Sequence, residues 1–238
     1  MTPLLFRLFH VAQPTRYDGL EKRHLDDSAD MPRDLMHYLG ETFPGLILNP
    51  PLFYRWPVGL RFDLGGRATT PDEVDYVVKR ATALFNAAFN ADDMCIVVAQ
   101  DWPEENRHPW LADVLPLFAF ARGNGVGLEA PDGQIVAQDV EEPEIGPHTL
   151  TWVEQPARTF QHELVFEAIA NADHARRPAI SSRVYLINPL RNIILYMYDD
   201  RGLDLIAASK SVLCRFYRDF NAWILDYDRA RIDQTFSQ

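Results

Sequence analysis

The sequence is poor in cysteine, in long apolar runs and in positive charge. Among its 238 residues only Cys95 and Cys214 are cysteines, and both lie in apolar stretches, so we expect free thiols and neither a disulfide nor a zinc framework. No apolar stretch reaches the roughly 20 residues of a membrane-spanning helix. The opening MTPLLFRLFHVAQP lacks a basic leader and a small-residue cleavage pattern. We therefore expect a cytoplasmic protein with no signal peptide and no membrane partner.

The deficit of positive charge limits the possible partners. Lysine and arginine total 23 against 34 acidic residues, which gives a formal net charge of −11. Such a chain repels the phosphate backbone, so a nucleic acid is not expected as a partner. The same field attracts a basic protein surface and accelerates the encounter. Hydrophobic residues make up 47% of the chain and charged residues 24%, which is typical of a folded globular protein.

Several common catalytic signatures are also missing. The glycines of Gly123–Gly127 lack the spacing of a dinucleotide-binding loop and follow a helical pattern, so they indicate a turn. His162 and Glu163 resemble the start of a zinc-binding H-E-x-x-H helix, but Phe166 occupies the place of the second histidine. No Gly-x-Ser-x-Gly elbow or cysteine-nucleophile signature is present. The sequence predicts neither a cofactor nor a resident metal.

The apolar pattern predicts a single α+β domain over residues 1–238, with a mostly antiparallel sheet. Residues 1–30 are predicted to be peripheral, and residues 122–148, rich in glycine, proline and acids, to be a loop-rich insertion. Near the C-terminus RVYLIN, IILYMY and LDLIA alternate with turns too short for anything but antiparallel neighbours, which predicts a three-stranded meander. The meander is expected to pack against long helices.

Other segments predict individual elements. PVGLRFDLG and MCIVVAQ have the patterns of strands, the second one deep in the sheet. Thr70 followed by Pro71 predicts a helix start. WLADVLPLFAFA predicts a helix whose first turns Pro116 ends or bends. Pro131 to Gly133 are predicted to reverse the chain between two short strands, and one long helix is predicted near the C-terminus.

Four separated stretches, in this order, resemble a bacterial family of unknown function recognised by a Tyr-Asp-Asp-Arg-Gly motif. They are FPGLILNPPLFYRWPVGLRFDLG, FEAIANADH, VYLINPLRNIILYMYDDRGLDLIA and FNAWILDYDR. The resemblance covers about residues 35 to 233. It implies a shared fold and brings no catalytic assignment.

The motif itself, Tyr198–Gly202, has two interpretations. Between two strands, aspartate side chains and a left-handed glycine are what a tight hairpin turn requires, so the motif is explained as a structural turn. Alternatively, Asp199, Asp200 and Asp204 supply oxygen ligands to magnesium or manganese, and Arg201 holds a phosphate or carboxylate. We favour the structural interpretation, because adjacent aspartates are common in turns.

Two further groups of charged residues, one on a predicted strand and one at the end of the last predicted helix, could also be structural or functional. Arg61 and Asp63 share one face of a strand and reach the motif only if that strand lies beside the meander. Their structural role would be an exposed cross-strand pair, or a partly buried pair that joins Arg201. At the end of the last predicted helix, Asp226 to Arg229 is expected to expose its acids to water around a buried Tyr227.

The leading hypothesis is a non-enzymatic protein-binding domain, most concretely a bacterial immunity protein that binds and neutralises a basic cognate toxin. The alternative is a metal-dependent phosphoester hydrolase or transferase that uses the motif acids. A third hypothesis is a regulatory module with a small ligand in a cleft beside the meander. The oligomeric state is not predicted. For the leading hypothesis the predicted binding residues are Asp101, Trp102, Glu104, Glu105, Glu141 and Glu142.

Overall fold

The computed structural model describes residues 34–66, 70–103, 111, 113–137 and 146–237. In these residues one antiparallel sheet of seven strands runs in the order β1-β7-β6-β5-β2-β4-β3. The predicted α+β fold and the mostly antiparallel sheet are confirmed. The strands are β1 (Gly59–Asp63), β2 (Met94–Asp101), β3 (Gly133–Ala137), β4 (His148–Pro156), β5 (Arg183–Asn188), β6 (Ile193–Asp199) and β7 (Gly202–Ala207).

The helices cover both faces of this sheet. They are α1 (Leu35–Thr42), α2 (Leu52–Arg55), α3 (Pro71–Ala88), α4 (Leu117–Asn124), α5 (His162–Ala172), α6 (Lys210–Asp219) and α7 (Arg229–Phe236). Helices α3 to α7 pack on the first face in one apolar cluster. Helix α1 and the segment after it pack on the second face. Among the described residues no helix is long and apolar enough to cross a membrane.

Coverage on both faces explains the continuous apolar run of β2. Cys95, Val97 and Ala99 point into the first cluster, whereas Ile96 and Val98 point into the second. Because successive side chains of a strand alternate between faces, a strand covered on both sides needs apolar residues throughout. Strand β2 pairs with β4 on one side and β5 on the other, so it lies inside the sheet as predicted.

The predicted helix start is confirmed at α3, whereas α4 begins later than the sequence predicted. The Glu73 backbone N–H donates to Thr70 Oγ1, and the Thr70 backbone N–H donates to the Glu73 carboxylate, which forms a capping box. Helix α4 begins only at Leu117, directly after Pro116, and residues 113–116 are not helical, so the predicted helix is broken at the proline; Trp110 and Ala112 lie outside the described residues. The Leu117 N–H donates to Ser182 Oγ at 2.7 Å, which fixes the helix start.

The predicted reversal at Pro131–Gly133 is also wrong. Asp132 stands immediately before β3, and its backbone N–H donates to the Trp152 carbonyl at 2.9 Å. Its carboxylate accepts from the Glu154 N–H at 2.6 Å, so the residue guides β3 onto β4. The predicted loop-rich insertion thus contains an edge strand, and the predicted peripheral segment 1–30 lies outside the described residues.

The long C-terminal helix is interrupted. After α6, two short 3-10 turns at residues 221–223 and 226–228 lead into α7. Between the turns, Ile224 bridges Phe62, and the Leu225 N–H donates to the Arg61 carbonyl at 2.9 Å. A helix cannot offer its backbone to a neighbouring strand in this way, so pairing with the free edge of β1 ends the helical run.

Candidate functional site

A row of polar side chains crosses the second face of the sheet near the motif. Asp204 on β7 lies opposite Arg61 on β1 and opposite Tyr196 on β6. Arg61 Nε and Asp204 Oδ1 are 3.2 Å apart, close enough for an ion pair although they are not aligned as a hydrogen bond. Asp204 is completely buried, so the pair sits at low dielectric.

The other carboxylate oxygen of Asp204 holds the start of α2. The Phe53 N–H donates to Asp204 Oδ2 at 3.2 Å, from the first turn of that short helix. Backbone donors at a helix start favour a negative charge, as the Arg61 guanidinium does. Burial nevertheless outweighs both and raises the pKa of Asp204 to about 6.

A second acid, Asp228, completes what we call the Arg61 cluster: Tyr54, Arg61, Tyr198, Asp204 and Asp228. Asp228 is only 5% exposed; it accepts from the Tyr54 hydroxyl at 2.6 Å and from Arg61 Nη1 at 3.4 Å. The Arg61 guanidinium lies 5.3 Å from the centre of the Tyr54 ring and 5.0 Å from that of Tyr198. One arginine therefore joins three strands, α2 and the 226–228 turn.

The motif forms the tight turn between β6 and β7, and its acids bind their own neighbours. Asp199 Oδ1 accepts from the Arg201 N–H at 2.8 Å, and Asp199 Oδ2 accepts from Arg201 Nε at 2.9 Å. Asp200 Oδ2 lies 2.9 Å from His174 Nε2 at the end of α5. Both aspartates are buried, at 5% and 3% exposure, so these partners compensate the loss of water around them.

Gly202 is required for a reason that the turn signal did not predict. Neither of the two residues at the tip of the turn, nor Gly202, has a left-handed backbone. A Cβ atom on Gly202 would instead lie 1.9 Å from the Tyr198 hydroxyl and 2.8 Å from the Phe62 carbonyl oxygen. The expectation of a left-handed glycine is therefore wrong, and the glycine makes room for the Tyr198 ring.

The three acids of the alternative metal site have three different sets of partners. Asp199 binds Arg201, Asp200 binds His174, and Asp204 binds Arg61 and the backbone of α2. Within the described ranges, no three His, Cys, Asp or Glu side chains are grouped so that they could hold a metal ion. The geometry thus makes these carboxylates parts of the sheet and its turn.

The comparisons with known proteins find a family of unknown function. A family model described as "Domain of unknown function (DUF3885)" matches residues 35–228. The chain belongs to this family. It is also 21% identical over 212 residues to "Uncharacterized protein YnaE" of Bacillus subtilis (strain 168), a match that covers 82% of this chain and 98% of that protein. No solved structure matches the chain. The matched family range contains the entire Arg61 cluster.

Arg61 and Asp63 behave differently from each other. Strand β1 pairs with β7 along Arg61–Asp204 and Asp63–Gly202, which provides the adjacency to the meander that the sequence could not show. Arg61 turns to Asp204 and Asp228, whereas Asp63 accepts from the Gly65 N–H at 2.7 Å. Arg61 therefore pairs with acids outside its own strand, and it does not join Arg201.

Two of the six predicted binding residues are described, and both make internal contacts. Asp101 accepts from the Ser182 hydroxyl at 2.6 Å. The Trp102 ring lies under the Arg183 guanidinium at 4.4 Å and 5.5 Å from the ring of His148. The other four predicted positions, Glu104, Glu105, Glu141 and Glu142, lie outside the described residues.

The first residues of the incomplete zinc motif line a pocket with both polar and apolar side chains. The His162 ring stacks on Phe85 with 3.9 Å between centroids, and burial lowers the pKa of His162. It lines a cavity of about 280 Å³ between the end of α3 and the start of α5. None of the cavity's lining residues comes from the meander, so this is not the cleft that the third hypothesis predicted.

Sequence reasoning missed Tyr54, His174 and Asp228 as partners of the motif region. Asp228 was expected in water and is buried, whereas Tyr227 was expected to be buried and is 86% exposed. The helical periodicity from which that prediction came does not hold, because the chain leaves the helix before residue 221. The sequence did offer one signal for these partners. Arg61 lies between apolar residues of a strand, and an arginine that is partly buried there requires acids from elsewhere in the chain.

Proposed function

We propose that this chain is a non-enzymatic binding protein that occludes a basic protein partner, most concretely a bacterial immunity protein that neutralises a cognate toxin. The observation that carries the proposal is the internal use of the motif acids. Asp199, Asp200 and Asp204 are buried and paired within the fold, which favours a scaffold over a reaction centre. No observation favours the metal-dependent hydrolase or transferase.

The net charge of −11 supports a basic partner. Long-range attraction between opposite charges raises association rates by orders of magnitude at low salt, and it discriminates against acidic competitors. A basic partner would therefore bind to exposed carboxylates that have no partner within the fold. Two free cysteines, one of them buried, suit action in the cytoplasm.

We further infer that the Tyr-Asp-Asp-Arg-Gly segment is a mark of the family. The segment supports this role because its residues depend on each other: Asp199 holds Arg201, and Gly202 makes room for Tyr198. Randomising the five positions and selecting for folded chains would test it. Recovery of the original residues is expected, and free variation at Gly202 would contradict the inference.

The functional test is neutralisation in living cells. The toxin domain encoded beside this chain's gene is expressed in a laboratory bacterium with and without the chain, and growth is followed. We expect the chain to restore growth, and the purified pair to bind with an association rate that falls steeply as salt is added. Absence of a neighbouring toxic domain, or growth arrest that the chain does not relieve, would refute the proposal.

A further inference from the structure

Arg61 is shared between two buried carboxylates. Its own side chain is 14% exposed, and it lies between Asp204, which is completely buried, and Asp228, which is 5% exposed. When both acids are ionised, one guanidinium therefore compensates two negative charges that have little access to water. Because an uncompensated charge is costly at low dielectric, the Arg61 cluster is a place where the chain gains by taking up a proton.

Neither ion pair of Arg61 has the geometry of a strong one. An arginine–carboxylate pair is strongest when two parallel N–H groups donate over about 2.7–2.9 Å. Arg61 Nε lies 3.2 Å from Asp204 Oδ1, and neither of these two atoms has a hydrogen-bond partner among the described residues. Arg61 Nη1 lies 3.4 Å from Asp228 Oδ2. The guanidinium is thus placed between two acids without being fully paired to either.

Asp204 Oδ1 is the oxygen of the cluster that can take a proton without losing a hydrogen bond. Asp204 Oδ2 accepts from the Phe53 N–H at 3.2 Å and keeps this bond as the carbonyl oxygen of a protonated carboxyl group. In Asp228, Oδ1 accepts from the Tyr54 hydroxyl and Oδ2 from Arg61, so a proton there would displace a donor. Burial raises the pKa of Asp204 to about 6, which agrees with this order.

The other ionisable groups around Asp204 come from every element packed against it. They are Arg61 on β1, Tyr196 and Tyr198 on β6, Tyr54 on α2, Asp228 in the 226–228 turn and Arg231 on α7, whose guanidinium lies over the rings of Phe53 and Tyr54. Burial raises the pKa of each of the three tyrosines, so they stay neutral, and the arginines stay charged. None of them competes with Asp204 for a proton near neutral pH.

We propose that the Arg61 cluster is an acid-operated switch, in which Asp204 takes up a proton from solvent at Oδ1 and Arg61 moves from Asp204 to Asp228. The new O–H group and the N–H groups of Arg61 are all donors, so they repel each other, whereas Asp228 Oδ2 is still an ionised acceptor. Proton uptake thus breaks a side-chain link between β1 and β7 and strengthens the link between β1 and the 226–228 turn. The switch needs no partner, so it does not depend on the proposed function.

The test follows the Asp204 carboxyl carbon and the Arg61 Nε–H group by NMR in the purified chain, from about pH 8 to about pH 4. In wild type we expect both resonances to shift with one common midpoint near pH 6. Asparagine is neutral throughout this range, so in Asp204→Asn the Arg61 resonance should not move and should stay at the position of acidified wild type. Titration of Asp204 without a shift of the Arg61 resonance would mean that the arginine stays in place, and the inference would be wrong.

A second variant removes the acid to which Arg61 moves. The negative charge of Asp228 raises the pKa of Asp204, so in Asp228→Asn the midpoint should fall below that of wild type, and Arg61 should stay with Asp204 over a wider range of pH. The matched control is Asp226→Asn, whose parent side chain is 96% exposed and pairs with Arg229; its midpoint should equal that of wild type. Equal midpoints in Asp228→Asn and wild type would overturn the inference. If Asp228→Asn does not fold, wild type and Asp204→Asn still decide it.

Discussion

Replacing Gly202 by alanine tests the packing of the motif turn. The new Cβ atom would lie 1.9 Å from the Tyr198 hydroxyl and 2.8 Å from the Phe62 carbonyl oxygen. Tyr198 cannot simply swing away, because its ring is held against the Arg61 guanidinium at 5.0 Å, and Phe62 presents backbone. Either the ring leaves Arg61 or the β1–β7 ladder shifts.

The expected cost follows from these two contacts. Overpacking a buried site costs about 1–3 kcal/mol, and the arginine–tyrosine contact contributes about 1 kcal/mol. We therefore expect Gly202→Ala to lose about 3 kcal/mol of unfolding free energy, which for a chain of this size lowers the melting temperature by roughly 10 °C. Urea unfolding followed by intrinsic fluorescence measures this loss.

The matched control is Gly123→Ala in α4. No atom lies within 4 Å of its added Cβ, and its backbone is helical. Alanine is a better helix former than glycine by about 1 kcal/mol, so this variant should be as stable as wild type or more stable. Our account of the motif would be refuted if Gly202→Ala unfolded within about 0.5 kcal/mol of wild type, the range of neutral surface changes.

Three further predictions concern ionisable groups. The pKa of Asp204 in the folded chain, about 6, exceeds the ordinary value of 3.8, so folding favours the protonated form. As pH rises from 4 to 6 this carboxyl group ionises, and the free energy of unfolding should fall by about 3 kcal/mol. The stability of Asp204→Asn should lack this downward component in urea titrations across that pH range. His174→Ala should lose about 1–3 kcal/mol, because it leaves the buried Asp200 without this partner. Burial raises the pKa of Cys95, so a thiol reagent should modify only Cys214 in the native chain and both cysteines in urea.

A different result would contradict each of these three predictions. A difference in stability between Asp204→Asn and wild type that stays constant from pH 4 to 6 would show that Asp204 titrates normally. For the histidine, the control is His37→Ala, whose parent side chain is 70% exposed and should tolerate the change. Equal effects of the two histidine variants would contradict the Asp200 pairing, and rapid modification of Cys95 in the native chain would contradict its burial.

Local sequence patterns predicted most of the strands and the start of α3. The alternation in β1, the continuous apolar run of β2 and the short turns of the meander each have one geometrical solution. The capping signal at Thr70 likewise acts within four residues. These elements depend on neighbours in the chain, so the sequence carries them directly.

The errors arose where distant segments meet. Ile224 and Leu225 bind the edge of β1, more than 160 residues earlier in the chain, and this contact overrides the helical periodicity. The same contact buries Asp228 and exposes Tyr227, the reverse of the helical expectation. Gly202 was correctly placed in a turn, but its reason is the ring of Tyr198, which only the folded sheet brings to it.

The most direct test of the central claim is urea unfolding of Asp199→Asn in the presence of a chelator. Asp199 is 5% exposed and accepts three hydrogen bonds from Arg201, so we predict a loss of about 2 kcal/mol without any metal present. An unfolding curve that coincides with that of wild type in the chelator, combined with a wild-type curve that manganese shifts to higher urea, would contradict the claim. The motif acids would then serve a metal and not the fold.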